Sequence, residues 1–275
     1  MLAAQVLSGQ IDCSAIERKF KEAHAEEVRG NSHYVKTEGH TLSEKYRVFL
    51  TDPAKGVVSP WHDVPLWSRA EEGGLYCNYV AEIQRGMRAK FEVATKEAHN
   101  PIRQDRRSDG RLRYYGKEPS FNYGALPQTW EDPSVQDEET KLYGDRDPLD
   151  LVELGDRPIP TGTVTEVKVL GCFCLLDQGE VDWKVLAINT DDAMSERINS
   201  LDDLARYMPG RVEEIMHWFR TYKMLEGKPE NEIGYGGRLL PLEKAEKVIT
   251  SAHKQWEKLI LEVGAKEYWV PRTEK

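Results

Sequence analysis

A chain of 275 residues, 39% hydrophobic and 31% charged, can bury one large core or two modest ones and has no apolar run long enough to span a membrane. The net charge of −9 and the pI of about 5.4 argue against a general nucleic-acid binder, which needs a basic footprint. An anionic substrate would require bound cations and a local cationic cluster to overcome that global field.

The opening Met1 to Leu7 is too short, and lacks the basic start, for a signal peptide. Residues 1–43 read as an arm with one helix, Ser14 to Val28, whose apolar positions Ile16, Phe20, Ala23 and Val28 are sparse among Glu and Lys. No catalytic signal lies there. Residues 44–275 read as the main globular domain, and from Glu44 the pattern changes to short strands. Lys45 to Leu50 alternates loosely, and His62-Asp63 falls in a Pro-broken aromatic stretch that reads as a structural corner. Gly73-Gly74 turns the chain into a strand, Leu75 to Ile83, and a second strand follows from Arg88 to Ala94. In the second, Lys90 and Glu92 share one face. Alone, that pattern describes an ordinary solvent-facing strand.

Asp109-Gly110 is a hairpin signal, and Arg111 and Arg113 then lie on one strand face, as solvated surface or as a phosphate clamp. Phe121 to Asp132 is aromatic and turn-rich, and Tyr123 offers a hydroxyl. Next comes Tyr143-Gly-Asp-Arg-Asp-Pro-Leu-Asp150, which places Asp145, Asp147 and Asp150 within six positions. Pro148 biases Asp147 away from helix, so the chain turns, and Asp150 opens an apolar strand. Three carboxylates at one strand mouth repel unless a cation or a proton neutralises them, and oxygen-only ligands suit Mg²⁺ or Mn²⁺. Gly, Asp and Pro are also turn residues without a metal. From this stretch alone the metal site and the acidic surface turn stand side by side.

A long strand, Gly162 to Leu176, leads through a Gln-Gly turn into a second acidic group, Asp177 to Lys184. The hairpin can bring Asp177 near Asp182, and Lys184 shares a face with Asp182. The remainder is helical: Leu201 to Tyr207, then a helix with Val212, Ile215, Met216, Phe219 and Tyr222 on one face and Lys223 at its end, and finally Leu242 to Val263. Four cysteines without a CxxC pair fit a reducing compartment, and seven histidines form no HxxxH or HExxH zinc motif.

Five motifs in order resemble family I soluble inorganic pyrophosphatases, eukaryotic branch, over about Glu44 to Trp256. They are Phe-Asn-Tyr-Gly-Ala-Leu-Pro-Gln-Thr-Trp-Glu-Asp132, Tyr-Gly-Asp-Arg-Asp-Pro-Leu-Asp150, Asp-Gln-Gly-Glu-Val-Asp-Trp-Lys-Val185, Trp-Phe-Arg-Thr-Tyr-Lys223 and Gly-Lys-Pro-Glu-Asn-Glu232. The resemblance implies a mainly β fold, an OB-type five-stranded barrel with flanking helices. It implies hydrolysis of pyrophosphate with several Mg²⁺ ions, Mn²⁺ or Zn²⁺ being possible substitutes. Matched position by position, Asp145, Asp150 and Asp182 are metal ligands, and Asp177 and Glu92 serve substrate-borne metals. Asp147 orients and deprotonates the attacking water. Lys90, Arg113, Tyr123, Tyr222 and Lys223 contact phosphate. Glu82, Asp105, Glu131 and Lys184 support the cavity. The resemblance also implies a homo-oligomer. A cytoplasmic location is expected, with an acidic polyphosphate- and calcium-storing organelle as the alternative.

Three positions depart from the family pattern. Arg146 stands where animal and fungal relatives carry Asn. Pro119 stands where the family has a further Tyr, with Tyr114 and Tyr115 nearby in sequence. Gly86 stands where fungal relatives place a Trp used in dimer packing. The alternative readings are a short-chain polyphosphatase using Zn²⁺ or Mn²⁺ and a non-catalytic barrel that binds divalent ions or a partner.

Overall fold

The computed structural model describes residues 33–69, 74–263 and 267–271. The helix expected over Ser14 to Val28, Cys13 and the first glycine of the Gly73-Gly74 turn lie outside those residues. Among the described residues, thirteen strands and three helices of at least 7 residues follow in order: β1 Tyr34–Glu38, β2 Arg47–Asp52, β3 Gly56–Val58, β4 Tyr76–Ile83, β5 Phe91–Val93, β6 Ile102–Gln104, β7 Asn122–Ala125, β8 Tyr143–Gly144, β9 Asp150–Glu153, β10 Val164–Asp177, β11 Glu180–Asn189, α1 Leu201–Tyr207, α2 Arg211–Thr221, β12 Glu232–Ile233, β13 Leu240–Pro241 and α3 Leu242–Lys258. The expected mainly β fold with flanking helices is what forms.

Strand β10 is 14 residues long and shifts register between Val169 and Gly171. The bend lets one strand serve several neighbours. It pairs with β4 on one edge and with β11 on the other. The path β10-β4-β7-β9-β11 then returns to β10, so five strands close into a ring. Closure at β7 needs Gly124, where an added Cβ would lie 2.0 Å from the Val80 carbonyl oxygen. The Gln178-Gly179 turn between β10 and β11 has φ of 53° and 89°, the two left-handed residues of a tight hairpin.

Both faces of the ring are covered, as period-two alternation requires. On β11, Leu186 and Ile188 point to the side where α2 contributes Ile215, Trp218 and Phe219. Val185 and Ala187 point to the other side, where α3 contributes Ala245, Val248, Ile249 and Ala252. Cys77, Cys172 and Cys174 are buried free thiols in that second core. A smaller sheet, β1-β2-β6-β5 with β3 on β2, packs alongside.

Two features were not expected. Strand β1 falls within the stretch read as an arm, and it pairs with β2 from Tyr34↔Thr51 to Glu38↔Arg47. The residues around Arg111 and Arg113 make only isolated bridges, Ala89↔Tyr114 and Arg106↔Leu112, rather than a strand. His62 is a structural corner as expected: Trp256 Nε1 donates to its Nδ1 at 2.9 Å, and its Nε2 meets the Trp269 carbonyl at 3.0 Å.

Candidate active site

Parallel pairing builds the acidic corner. Gly144 of β8 sits beside Val181 of β11, and Asp150 of β9 sits beside Lys184. The connecting loop, residues 145–149, must therefore arch over Asp182 and Trp183. Pro148 and Leu149 are buried and anchor the loop, and the Leu149 N–H donates to Thr129 Oγ1 at 2.9 Å. Glu131 holds it from behind: the Arg146 N–H donates to the Glu131 carbonyl, and the Glu131 N–H donates to the Asp147 carbonyl, each at 3.0 Å. Arg146 has φ of 79°, a conformation that Asn tolerates better than Arg, and an ion pair to Glu180 at 2.8 Å secures its side chain.

Carboxylate oxygens of Glu131, Asp145 and Asp182 lie within 4.8 Å of one another. Glu131 and Asp182 are buried. Lys184, 2% exposed, donates to both Asp150 and Asp182, and the Tyr123 hydroxyl also donates to Asp150. One ammonium cannot neutralise this many acids. Burial and the neighbouring carboxylates Asp182, Asp147 and Asp150 hold Asp145 well above the ordinary Asp range. Burial and Asp150 push Asp182 up to about 7 despite Lys184. Burial, Asp145 and Asp182 raise Glu131 strongly.

The donor set fits a hard divalent cation. It is all oxygen, it carries excess negative charge, and Glu131 Oε2 is buried with no hydrogen-bond partner among the described residues. Sequence reasoning placed Glu131 among the supporting residues. The structure converges it with Asp145 and Asp182, while Asp150 is turned toward Tyr123 and Lys184. No local pattern could have shown this, because Glu131 arrives from the loop after β7.

A second group lies across a cavity of about 280 Å³ lined by Glu82, Lys90, Glu92, Tyr123, Asp147 and Asp150. Lys90 and Glu92 thus face this cavity rather than open solvent. Lys90 Nζ contacts Glu92 at 2.8 Å and Asp105 at 3.1 Å, and Arg113 shares Asp105 at 3.1 Å. Burial would lower the Lys90 pKa, but Glu92, Tyr115 and Asp105 hold it well above the usual lysine value. Arg103, not singled out from the sequence, braces Glu92 at 3.3 Å. Glu82 is buried and accepts the Val93 N–H at 2.7 Å, and burial with Asp150 raises its pKa strongly.

Asp147 lies between the two groups. It is accessible at the cavity mouth, yet protein crowds it on the other sides. That desolvation and Glu92 push its pKa up to about 6. Its carboxylate accepts no hydrogen bond among the described residues; its backbone N–H donates to Asp145 at 3.0 Å and its carbonyl accepts from the Glu131 N–H at 3.0 Å. On the far rim Lys223 Nζ donates to both carboxylate oxygens of Asp177, and Tyr222 stacks on Trp218 at 4.7 Å. Tyr222 is within electrostatic reach of Asp177 and Asp182. The fifteen residues selected from sequence thus form one connected cluster.

Comparison with known proteins identifies the family. The family model described as inorganic pyrophosphatase matches residues 79–257. Inorganic pyrophosphatase 2, mitochondrial, of Mus musculus is 41% identical over 241 residues, covering 81% of this chain and 73% of that protein. The type I inorganic pyrophosphatase of Toxoplasma gondii superposes with a TM-score of 0.79 at 39% identity, covering 82% of this chain and 99% of the other. The N-terminally truncated vacuolar soluble pyrophosphatase of Trypanosoma cruzi, solved with pyrophosphate, superposes with a TM-score of 0.78 at 36% identity, covering 85% and 94%. No helix among the described residues is long and apolar enough to cross a membrane. The chain belongs to the inorganic pyrophosphatase family.

Proposed function

We propose that the acidic corner holds Mg²⁺ and that Asp147 takes the proton of the water that attacks pyrophosphate. The reaction itself, hydrolysis of inorganic pyrophosphate to two phosphates, is that of the family. The position of Asp147 supports the assignment most directly: an accessible carboxylate with no hydrogen bond among the described residues, between the excess-acid corner and the Lys90–Arg113 cations. A base with a pKa near 6 is ionised at neutral pH and more basic than an ordinary Asp, as general-base catalysis favours.

Glu131, Asp145 and Asp182 would hold one cation, with Asp150 beside them; Asp177 and Glu92 would serve others. Such ions supply charge neutralisation and acidify water. Lys90, Arg113 and Lys223 balance phosphate charge, and the Arg113 guanidinium can engage two phosphate oxygens as a fork. In the substrate-free protein these cations rest on Asp105, Glu92 and Asp177. Incoming phosphate therefore meets cations already positioned, which is most of what phosphoryl transfer asks of a protein. Tyr123 fixes Asp150, and Tyr222 presents a hydroxyl from the α2 end.

The direct test is phosphate release from pyrophosphate with Mg²⁺, with EDTA, and after Mg²⁺ is restored. Release should vanish on chelation and return. Tripolyphosphate with Zn²⁺ or Mn²⁺ should be the poorer reaction. Absence of turnover with every metal tried would sink the reading.

Stability offers a second measurement. Asp147 and Asp182 have folded-state pKa values of about 6 and about 7, against 3.8 ordinarily. Groups raised by folding stabilise fully below the unfolded value, and that contribution disappears as pH rises through the folded values. The chelated protein should therefore lose melting temperature between pH 5 and 8, read by circular dichroism. Mg²⁺ at about 100 times its Kd should add about 2.7 kcal/mol, or roughly 5–10 °C in Tm. That gain should be larger at pH 8 than at pH 5, because protons and the cation compete for the same oxygens.

A further inference from the structure

Tyr115 sits inside this cluster although the sequence did not select it. Its ring is packed against aromatic neighbours. The residue is 5% exposed. Its ring meets Trp218 edge-on at 5.0 Å and Tyr222 edge-on at 5.7 Å, and those two rings stack at 4.7 Å. Its backbone is pinned as well: the N–H donates to the Arg88 carbonyl at 2.7 Å, and Arg88 Nε donates back to the Tyr115 carbonyl at 2.8 Å.

The hydroxyl is the exception. It makes no hydrogen bond among the described residues. It lies within electrostatic reach of Lys90, Arg113, Asp150 and Lys184. Tyr123 and Tyr222 also lie within its reach. A buried tyrosine normally gives its hydroxyl a partner. Here the aromatic packing fixes the ring, and the Ala89↔Tyr114 bridge, with the Lys90 N–H donating to the Arg113 carbonyl, sets Tyr115 on the same face as Lys90 and Arg113. Burial keeps the phenol protonated and so a donor. The neighbouring alternatives do not compete: Tyr114 is 40% exposed, and Pro119 has no hydroxyl, its carbonyl accepting the Gly86 N–H at 2.9 Å.

We propose that the Tyr115 hydroxyl donates a hydrogen bond to a phosphate oxygen of bound pyrophosphate, beside Lys90 and Arg113. The inference rests on the reading of this cavity as the pyrophosphate site. It names a substrate contact that comes from the segment following Arg113, and the ring pair on α2 positions it.

The test compares wild type, Tyr115→Phe and Tyr114→Phe in Mg²⁺. Phenylalanine keeps the ring and its edge-on contacts, so melting temperature should not move. A hydrogen bond to a charged group is worth a factor of about 10 to 100, and Tyr115→Phe should lose that much in kcat/KM. Tyr114→Phe should lose nothing. Affinity for imidodiphosphate, a non-hydrolysed analogue, measured by calorimetry at 15 °C, should fall in Tyr115→Phe as well, which a purely structural role would not produce. Wild-type and Tyr115→Phe proteins with the same kcat/KM and the same analogue affinity would overturn the proposal. Wild type that binds the analogue without turning over pyrophosphate would instead overturn the catalytic reading, and the two affinities would still decide the role of Tyr115.

Discussion

Asp147→Asn should abolish most phosphate release while leaving the chain folded. General-base catalysis contributes a factor of about 10²–10⁴, so kcat should fall by that amount, with KM for pyrophosphate changing little. The structure separates the two effects cleanly. Asp147 is accessible and its carboxylate accepts no hydrogen bond among the described residues, so an amide in its place orphans no partner there. Its ionised form is already disfavoured by desolvation and Glu92. The neutral side chain should therefore leave the melting temperature of the chelated protein unchanged or raise it slightly at pH 8. Steady-state kinetics beside thermal melts of the same preparations read both. Wild-type kcat in a folded Asp147→Asn protein would remove Asp147 from the chemistry.

The parts of this site that were legible in sequence are those set by local geometry. Gly144, Pro148 and the Gln178-Gly179 pair are turn residues, and alternation then dictates which carboxylates face together. So Asp145, Asp147, Asp150, Asp177 and Asp182 could be grouped, and the ladders Asp177↔Glu180 and Asp182↔Leu175 form as a two-residue turn requires. Lys90 and Glu92 show the limit. Their spacing is that of any half-exposed strand, and only the approach of Asp147 and Asp150 from another part of the chain makes their face a cavity wall. The resemblance to a known family supplied that assignment, whereas periodicity did not.

Long-range pairing was beyond reach. The parallel run of β8 and β9 along β11 places the acidic loop over Asp182, and parallel partners leave no turn signature. Glu131 was read as a supporting residue rather than as a neighbour of Asp145 and Asp182 for the same reason, since it enters from an irregular segment. Strand β1 escaped because Tyr34, Lys36 and Glu38 are exposed while Val35 and Thr37 are only half-buried, so its alternation lacks contrast. Arg146 is a different case. Sequence marked it as a departure, but not that its backbone would be left-handed and its guanidinium tied to Glu180.

Lys184→Met should produce the largest loss of stability. Lys184 is 2% exposed and its ammonium is shared by Asp150 and Asp182. Methionine fills similar volume without charge, so the main effect is electrostatic: two carboxylates lose their nearest cation in a corner that already holds Asp145 and Glu131. Removing one partner of a buried ion pair costs about 3–5 kcal/mol. For a chain of this size that corresponds to a drop of roughly 10 °C in Tm. The sign of the pH dependence follows from linkage. Without Lys184 the acids bind protons still more tightly in the folded state, so the deficit should be widest at pH 8 and shrink toward pH 5 as Asp182, already at about 7, takes up its proton. Saturating Mg²⁺ should recover part of the loss at pH 8, because a cation can replace the missing charge but not the geometry with which Lys184 joins β9 to β11. Thermal melts in EDTA at both pH values, then with Mg²⁺, resolve these contributions. A Lys184→Met protein melting with wild type in EDTA at pH 8 would mean that the acids are already protonated there. The corner would then carry little of the negative charge that calls for a cation.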